Sequence, residues 1–152
     1  MRIFEHLSEL AALVGQDIAT SEWIGITQQQ IDLFAQATGD HQWIHVDPER
    51  AKDTPFGGTI AHGLYTLSLG PQLSYSLFEV EGVAFGLNYG YNKVRYPAPL
   101  PVGSKVRMRM ELQSVEDIPG GAQITMKLTF EQDGAEKPVC VAEALSRVYT
   151  GG

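Results

Sequence analysis

The chain changes character near residue 77. Before that point apolar residues recur at helical spacing between polar loops, and after it they alternate. Ile31, Phe34, Ala35 and Thr38 share one face at a helical period. Thr27 followed by Gln30 has the spacing of a capping box, and Gly39 is suited to end the helix. Ser8 is placed to cap a shorter helix with Leu10, Ala11, Leu13 and Val14 inward, ended by Gly15. Ser21 to Ile26 reads as a short strand through Trp23 and Ile24. Asp47-Pro48 opens another short helix, Asp as N-cap and Pro in the first turn. Thr59 to Leu77 is apolar on most sides, the pattern of a buried helix, and Gly70-Pro71 is placed to kink or divide it.

The second half reads as strands. Val83 to Tyr96 combines β-branched and aromatic residues with glycines that mark bends, and Pro97, Pro99 and Pro101 end it. Val106, Met108, Met110 and Leu112 alternate, as do Met126, Leu128 and Phe130. Pro119-Gly120-Gly121 and Asp133-Gly134 are turn signals, and Pro138 to Tyr149 is the last strand. Helices segregated from strands predict an α+β fold with an antiparallel sheet and helices on one side. A long central helix wrapped by a curved sheet is the arrangement this order suggests. No repeat or linker interrupts the chain, so residues 1–152 are expected to form one domain.

Composition narrows the function. The formal net charge is −7, which excludes non-specific nucleic-acid binding. It leaves room for an anionic small ligand at a local cluster of Lys and Arg. Cys140 is the single cysteine and lies in an apolar run, so it reads as a small buried hydrophobe with no intramolecular disulfide to form. The N-terminus lacks the apolar region of a signal peptide, and no apolar run reaches membrane-spanning length. The expectation is a soluble cytoplasmic protein with no membrane partner.

Candidate chemistry concentrates between Gly39 and Gly63. Asp40 follows a helix end, His45 comes five residues later, and Gly63 stands where an apolar helix opens. An acid, an imidazole and a helix-start N–H are the parts needed to move a proton beside a polarised carbonyl. Each also has a plain structural use. Asp40 can form an Asx turn, His45 can be a hydrogen-bonded core histidine, and Gly63 can simply open a helix. Asp40, His41, His45 and Asp47 are metal-ligating types, but their spacing carries no metalloenzyme signature, so no metal is expected.

The run Phe34-Ala-Gln-Ala-Thr-Gly-Asp40-His-Gln-Trp-Ile-His45-Val-Asp47-Pro48, followed by Phe56-Gly-Gly-Thr-Ile-Ala-His62-Gly63, resembles the MaoC-like dehydratases, or (R)-specific enoyl-CoA hydratases. Asn88 to Pro97 and Pro101-Val-Gly103 resemble that family's second signature, and the Gln-Trp-Ile-His variant is similar to the branch named after nodulation protein N. The resemblance implies a hot-dog fold and a homodimer whose sheets join edge to edge. It implies reversible addition of water to a trans-2-enoyl-CoA, giving an (R)-3-hydroxyacyl-CoA, without a cofactor. Asp40 and His45 would share the water and the proton transfers, and the Gly63 N–H would meet the thioester oxygen. His62, Asn88, Asn92 and Arg95 become candidates for lining the substrate path, though His62 can be structural and the other three can form a buried polar network or an exposed strand face. On charge alone Lys93, Arg95, Lys105 and Arg107 are candidates for meeting CoA phosphates, and solvated strand faces explain them equally. Gln42 and Trp43 replace the commoner Asn-Pro and are candidates for acyl specificity. A hot-dog thioesterase and a non-catalytic acyl-thioester-binding domain are the alternatives.

Overall fold

Long alternating strands in the second half demand a partner face, and the helices of the first half supply it. The computed structural model describes residues 1–151. The elements run β1 (Arg2–Phe4), α1 (Leu7–Ala11), β2 (Asp17–Thr20), β3 (Ile24–Gly25), α2 (Gln28–Thr38), α3 (Trp43–Val46), α4 (Pro48–Ala51), α5 (Gly63–Ser68), α6 (Gly70–Ser74), β4 (Phe78–Val80), β5 (Val83–Arg95), β6 (Lys105–Ile118), β7 (Gly121–Gln132) and β8 (Cys140–Thr150). The main sheet has the order β2-β6-β7-β8-β5, with β3 also paired to β6. Its pairings are antiparallel throughout. β1 and β4 form a separate parallel pair that ties the N-terminus to the segment after α6.

The expected alternation sets the register. Met108 faces Phe130, Met110 faces Leu128 and Leu112 faces Met126 across β6 and β7, and Leu128 continues to Ala142 on β8. These side chains share one core with Tyr65, Leu67, Leu69 and Leu73 of α5 and α6. Full burial of side chains of this size contributes about 1.5–3 kcal/mol each. A methyl on Gly70 would sit 3.8 Å from Leu128 Cδ1, so the second helix packs closely on the sheet. The fold is α+β with helices against one face of an antiparallel sheet, as the order of patterns predicts.

The structure corrects several boundaries. The buried helical run begins at Gly63 rather than Thr59, because the backbone before it bonds sideways. Ile60 bridges Pro101, the Ala61 N–H donates to the Leu100 carbonyl, and the Val102 N–H donates to the Thr59 carbonyl. The run is divided between Ser68 and Gly70 into helices of six and five residues. Leu64, expected inward, is 63% exposed in the opening turn. Ser8 lies inside α1, whose N-cap is His6, and Val14 is exposed. β1 and β2 carried no recognisable pattern, and the expected strand over 21–26 narrows to Ile24–Gly25. The capping box of Thr27 and Gln30, the left-handed Gly39 cap and the Asp47 cap on the Arg50 N–H are all present.

Candidate active site

The site grows out of the two ends of α2. In its first turn the Gln28 amide nitrogen donates to the His45 carbonyl at 2.7 Å and to Asp32 Oδ1 at 2.9 Å, while its oxygen accepts from the Thr59 hydroxyl. One side chain thereby holds both arms of the polar loop. At the other end Gly39 adopts φ 79°, a conformation that favours glycine, and turns the chain so that Asp40 follows directly. Asp40 Oδ1 accepts from the Gln42 N–H at 3.3 Å, so it does form an Asx turn. Its side chain nevertheless remains exposed.

His45 is buried in the single turn of α3. Its Nδ1 lies 2.7 Å from the Ile60 carbonyl. A carbonyl only accepts, so Nδ1 carries the proton and Nε2 is left as a lone pair. Burial pushes the His45 pKa below the usual histidine value, and neighbouring His62 pushes the same way. The Ile60 bond and the Asp40 charge oppose the shift without reversing it. At neutral pH the ring is therefore an uncharged base.

His62 is also buried. Its Nε2–H donates to the Asp40 main-chain carbonyl at 3.0 Å, and its Nδ1 has no hydrogen-bond partner among the described residues. Its ring stacks on His45 with centroids 3.9 Å apart and also touches Phe34 at 4.9 Å. It thus ties the backbone of Asp40 to the opening of α5 and stands behind His45.

Donor atoms of Asp40, His45 and His62 lie within 4.8 Å of one another. His45 Nδ1 and His62 Nε2 are already spent on the Ile60 and Asp40 carbonyls, which leaves one ring nitrogen on each histidine.

A cleft of about 290 Å³ opens in front of His45, bounded by Ile60, Gly63, Leu64, Tyr96 and Val139 among others. Gly63 begins α5, so its N–H belongs to the first-turn donors that have no partner within the helix. A methyl built on Gly63 would meet the Tyr96 ring at 2.9 Å. The missing side chain at 63 thus seats an aromatic ring, a constraint more local than room for a thioester.

The remaining candidates lie elsewhere. Gln42 is exposed, and its carbonyl accepts from the His45 N–H. Trp43 lies under the Arg50 guanidinium, 4.0 Å from its ring centre, and not in the cleft. Asn88 donates to the Tyr91 hydroxyl at 3.3 Å and lines a separate apolar cavity of about 430 Å³ beneath α6. Asn92 donates to Glu143 at 2.6 Å, and Arg95 lies in a different groove. Asn88, Asn92 and Arg95 therefore do not join Asp40 and His45. His41 is exposed, and the buried Cys140 thiol is pushed up to about 12 by desolvation, so it stays protonated. Tyr96 and Gln28 were not among the sequence candidates. The phase of β5 contained the signal for Tyr96, because Val94 packs on the core and period two carries the next inward position to 96. Nothing local marks Gln28.

Comparison with known proteins agrees with this architecture. The MaoC like domain profile matches residues 9–133. The chain is 54% identical to 3-hydroxyacyl-thioester dehydratase Z of Mycobacterium tuberculosis over 97% of its own length and 98% of the relative's. It is 42% identical to nodulation protein N of Rhizobium leguminosarum bv. viciae, covering 90% and 86% of the two chains. The crystal structure of the MaoC-like dehydratase from Rhodospirillum rubrum superposes with a TM-score of 0.76 at 22% identity, over 97% and 98% of the chains, which establishes the shared fold. Among the described residues no helix is long and apolar enough to cross a membrane. On the match over residues 9–133 and the 54% identity along nearly its whole length, the chain belongs to the MaoC-like domain family.

Proposed function

We propose that this chain is a 3-hydroxyacyl-thioester dehydratase, a hydro-lyase that removes water from an (R)-3-hydroxyacyl thioester and, in reverse, hydrates a trans-2-enoyl thioester. The observation that carries the reading is the His45 tautomer. A neutral imidazole with Nδ1 committed to Ile60 has Nε2 free as a base in a cleft that also holds the opening of α5. The relative at 54% identity, whose name states this activity, supports it.

In the hydration direction water loses one proton as its oxygen bonds to C3. The electron pair moves onto the thioester oxygen, and C2 then takes up one proton. His45 and Asp40 share the acceptance and return of that proton. The Gly63 N–H donates to the thioester oxygen while it carries negative charge, an interaction of about 3–4 kcal/mol in comparable sites. No group on the protein is consumed and no cofactor enters the balance. Residues 1–152 act as one catalytic domain in this reading.

The direct test is incubation with a trans-2-enoyl thioester. The enoyl absorbance is expected to fall without release of free thiol, and chiral analysis is expected to give the (R) alcohol. Thiol release at the same rate would instead identify a thioesterase, and binding without turnover a carrier domain.

The same reading includes a homodimer. β5 is a thirteen-residue strand at the end of the sheet, and among the described residues it pairs with β8 alone. Phe85, Leu87 and Tyr89 on it are exposed. A long apolar edge of this kind is an aggregation hazard unless it is covered, and a second copy paired along it would cover it. Leu87→Glu is expected to shift sedimentation from twice the chain mass to the chain mass. Unchanged sedimentation of a folded Leu87→Glu protein would remove β5 from the interface.

A further inference from the structure

Four cations stood out along the strands, and the structure separates them. Arg107 is occupied, since it bonds Glu131 at 2.8 Å and lies over the Trp23 ring at 4.5 Å. Its neighbour Arg109 is paired with Asp17 and Glu131. Both arginines of that groove are therefore already paired, while Lys137 and Glu136, which also line it, form no ion pair among the described residues. Lys105 starts β6, outside the groove described next.

Lys93 and Arg95 are different. They line one groove of about 410 Å³ together with Lys127, Pro97, Gln113 and Glu143. The register explains the gathering, because Glu143 lies opposite Lys93 on one side and opposite Lys127 on the other. The one carboxylate among the lining residues is held by Asn92 at 2.6 Å. Lys127 reaches Glu111 only at 3.9 Å. Among the described residues neither Lys93 nor Arg95 forms an ion pair, and the Arg95 guanidinium bonds only the Val94 carbonyl. Three cations against one engaged acid, in a chain of net charge −7, make a local reversal of sign.

The groove is also next to the cleft. Tyr96 and Ala98 line the cleft of His45, while Arg95 and Pro97 line the cationic groove. One extended segment is the wall between them, with alternate residues on either side. Val139, just before β8, lines the cleft, and Val141 in β8 lines the groove.

We propose that the groove of Lys93, Arg95 and Lys127 seats the phosphate of the pantetheine arm that carries the acyl thioester. The inference rests on the thioester reading above and extends it to the carrier. A thioester sulfur in the cleft continues into a flexible arm that ends in phosphate, and cations just across the wall, of which Lys93 and Arg95 form no ion pair among the described residues, are the complement of that group. Phosphate of this kind is shared by coenzyme A and by a phosphopantetheinyl carrier protein. Asn92 then acts indirectly, as the hydrogen-bond donor to the one carboxylate of the groove.

The experiment compares one trans-2-enoyl group on three carriers: coenzyme A, a phosphopantetheinyl carrier protein, and pantetheine without phosphate. Enzymes are the wild type and the triple variant Lys93→Gln, Arg95→Gln, Lys127→Gln, with melting measured for both. The triple variant is expected to raise KM about tenfold or more for the phosphate-bearing carrier in use, with kcat kept. KM for the pantetheine thioester is expected to stay unchanged. The carrier that shows the rise identifies the source of the phosphate. An equal rise on the pantetheine thioester, or no rise on either phosphate-bearing carrier, overturns the proposal. If the wild type turns over none of the three thioesters, the dehydratase reading itself fails, a distinct result.

Discussion

His45→Gln is expected to lower kcat for enoyl-thioester hydration about a thousandfold, within the range that positioned acid–base groups contribute. Melting should change little, because an amide can still donate to the Ile60 carbonyl while offering no basic nitrogen. Asp40→Asn is expected to lose rate to a similar extent. Asp40 is exposed and its turn bond is a single long contact at 3.3 Å, which an amide oxygen can also accept. The pair also has a signature in pH. Burial holds the His45 pKa below the usual histidine value, so the acidic limb of kcat/KM is expected below about pH 6.5. Asp40 raises the His45 pKa. Its loss therefore moves the residual limb further down in pH, whatever happens to the height of the profile. Wild-type rates in folded variants, or a limb that moves upward in Asp40→Asn, would remove the dyad from the mechanism.

The second large effect is expected at Gly63. A methyl there meets Tyr96 Cε1 at 2.9 Å, so the ring must leave its seat. Tyr96 is 42% exposed, and swinging it outward costs little stability. The cleft, however, loses its wall beside the α5 N–H. Gly63→Ala is expected to reduce kcat/KM roughly a hundredfold, the scale of a displaced oxyanion donor or a misplaced substrate. Tyr96→Ala should reproduce most of that loss, and Gly63→Ala should add little in the Tyr96→Ala background. Such non-additivity is expected when two substitutions act through one displaced group. Full additivity in the double-mutant cycle would show that Gly63 acts independently of Tyr96.

The case of Gly63 illustrates how far local reading reaches. Its place at a helix start was legible, since an apolar run followed a Gly-rich loop. What the glycine accommodates was not, because Tyr96 lies 33 residues away and no local pattern links the two. His62 is a similar case. Its type suggested substrate contact, whereas the fold buries it between His45 and Phe34 and uses it to hold the Asp40 carbonyl. Asn88, Asn92 and Arg95 belong to a motif that resembles a family signature, yet proximity in a motif is not proximity to a site. Strand alternation and the extent of β5 send them to a separate cavity, a cross-strand bond and an outer groove. Gln42 and Trp43 likewise shape the loop around the site without entering the cleft.

By itself the sequence determined whatever depends on periodicity and caps. These are the α+β order, the inward faces of β6 and β7, the capping box at Thr27, the glycine turn before Asp40 and the break at Gly70-Pro71. Such features are local, because dihedral preferences and hydrophobic spacing act over a few residues. Tertiary structure alone decided which nitrogen of His45 is free, since the Ile60 carbonyl comes from 15 residues away. It alone placed His62 behind His45, put Tyr96 over Gly63, and left Lys93 and Arg95 outside the ion pairs of the described residues. Protonation, packing and charge balance are properties of neighbours in space, and only the folded chain chooses those neighbours.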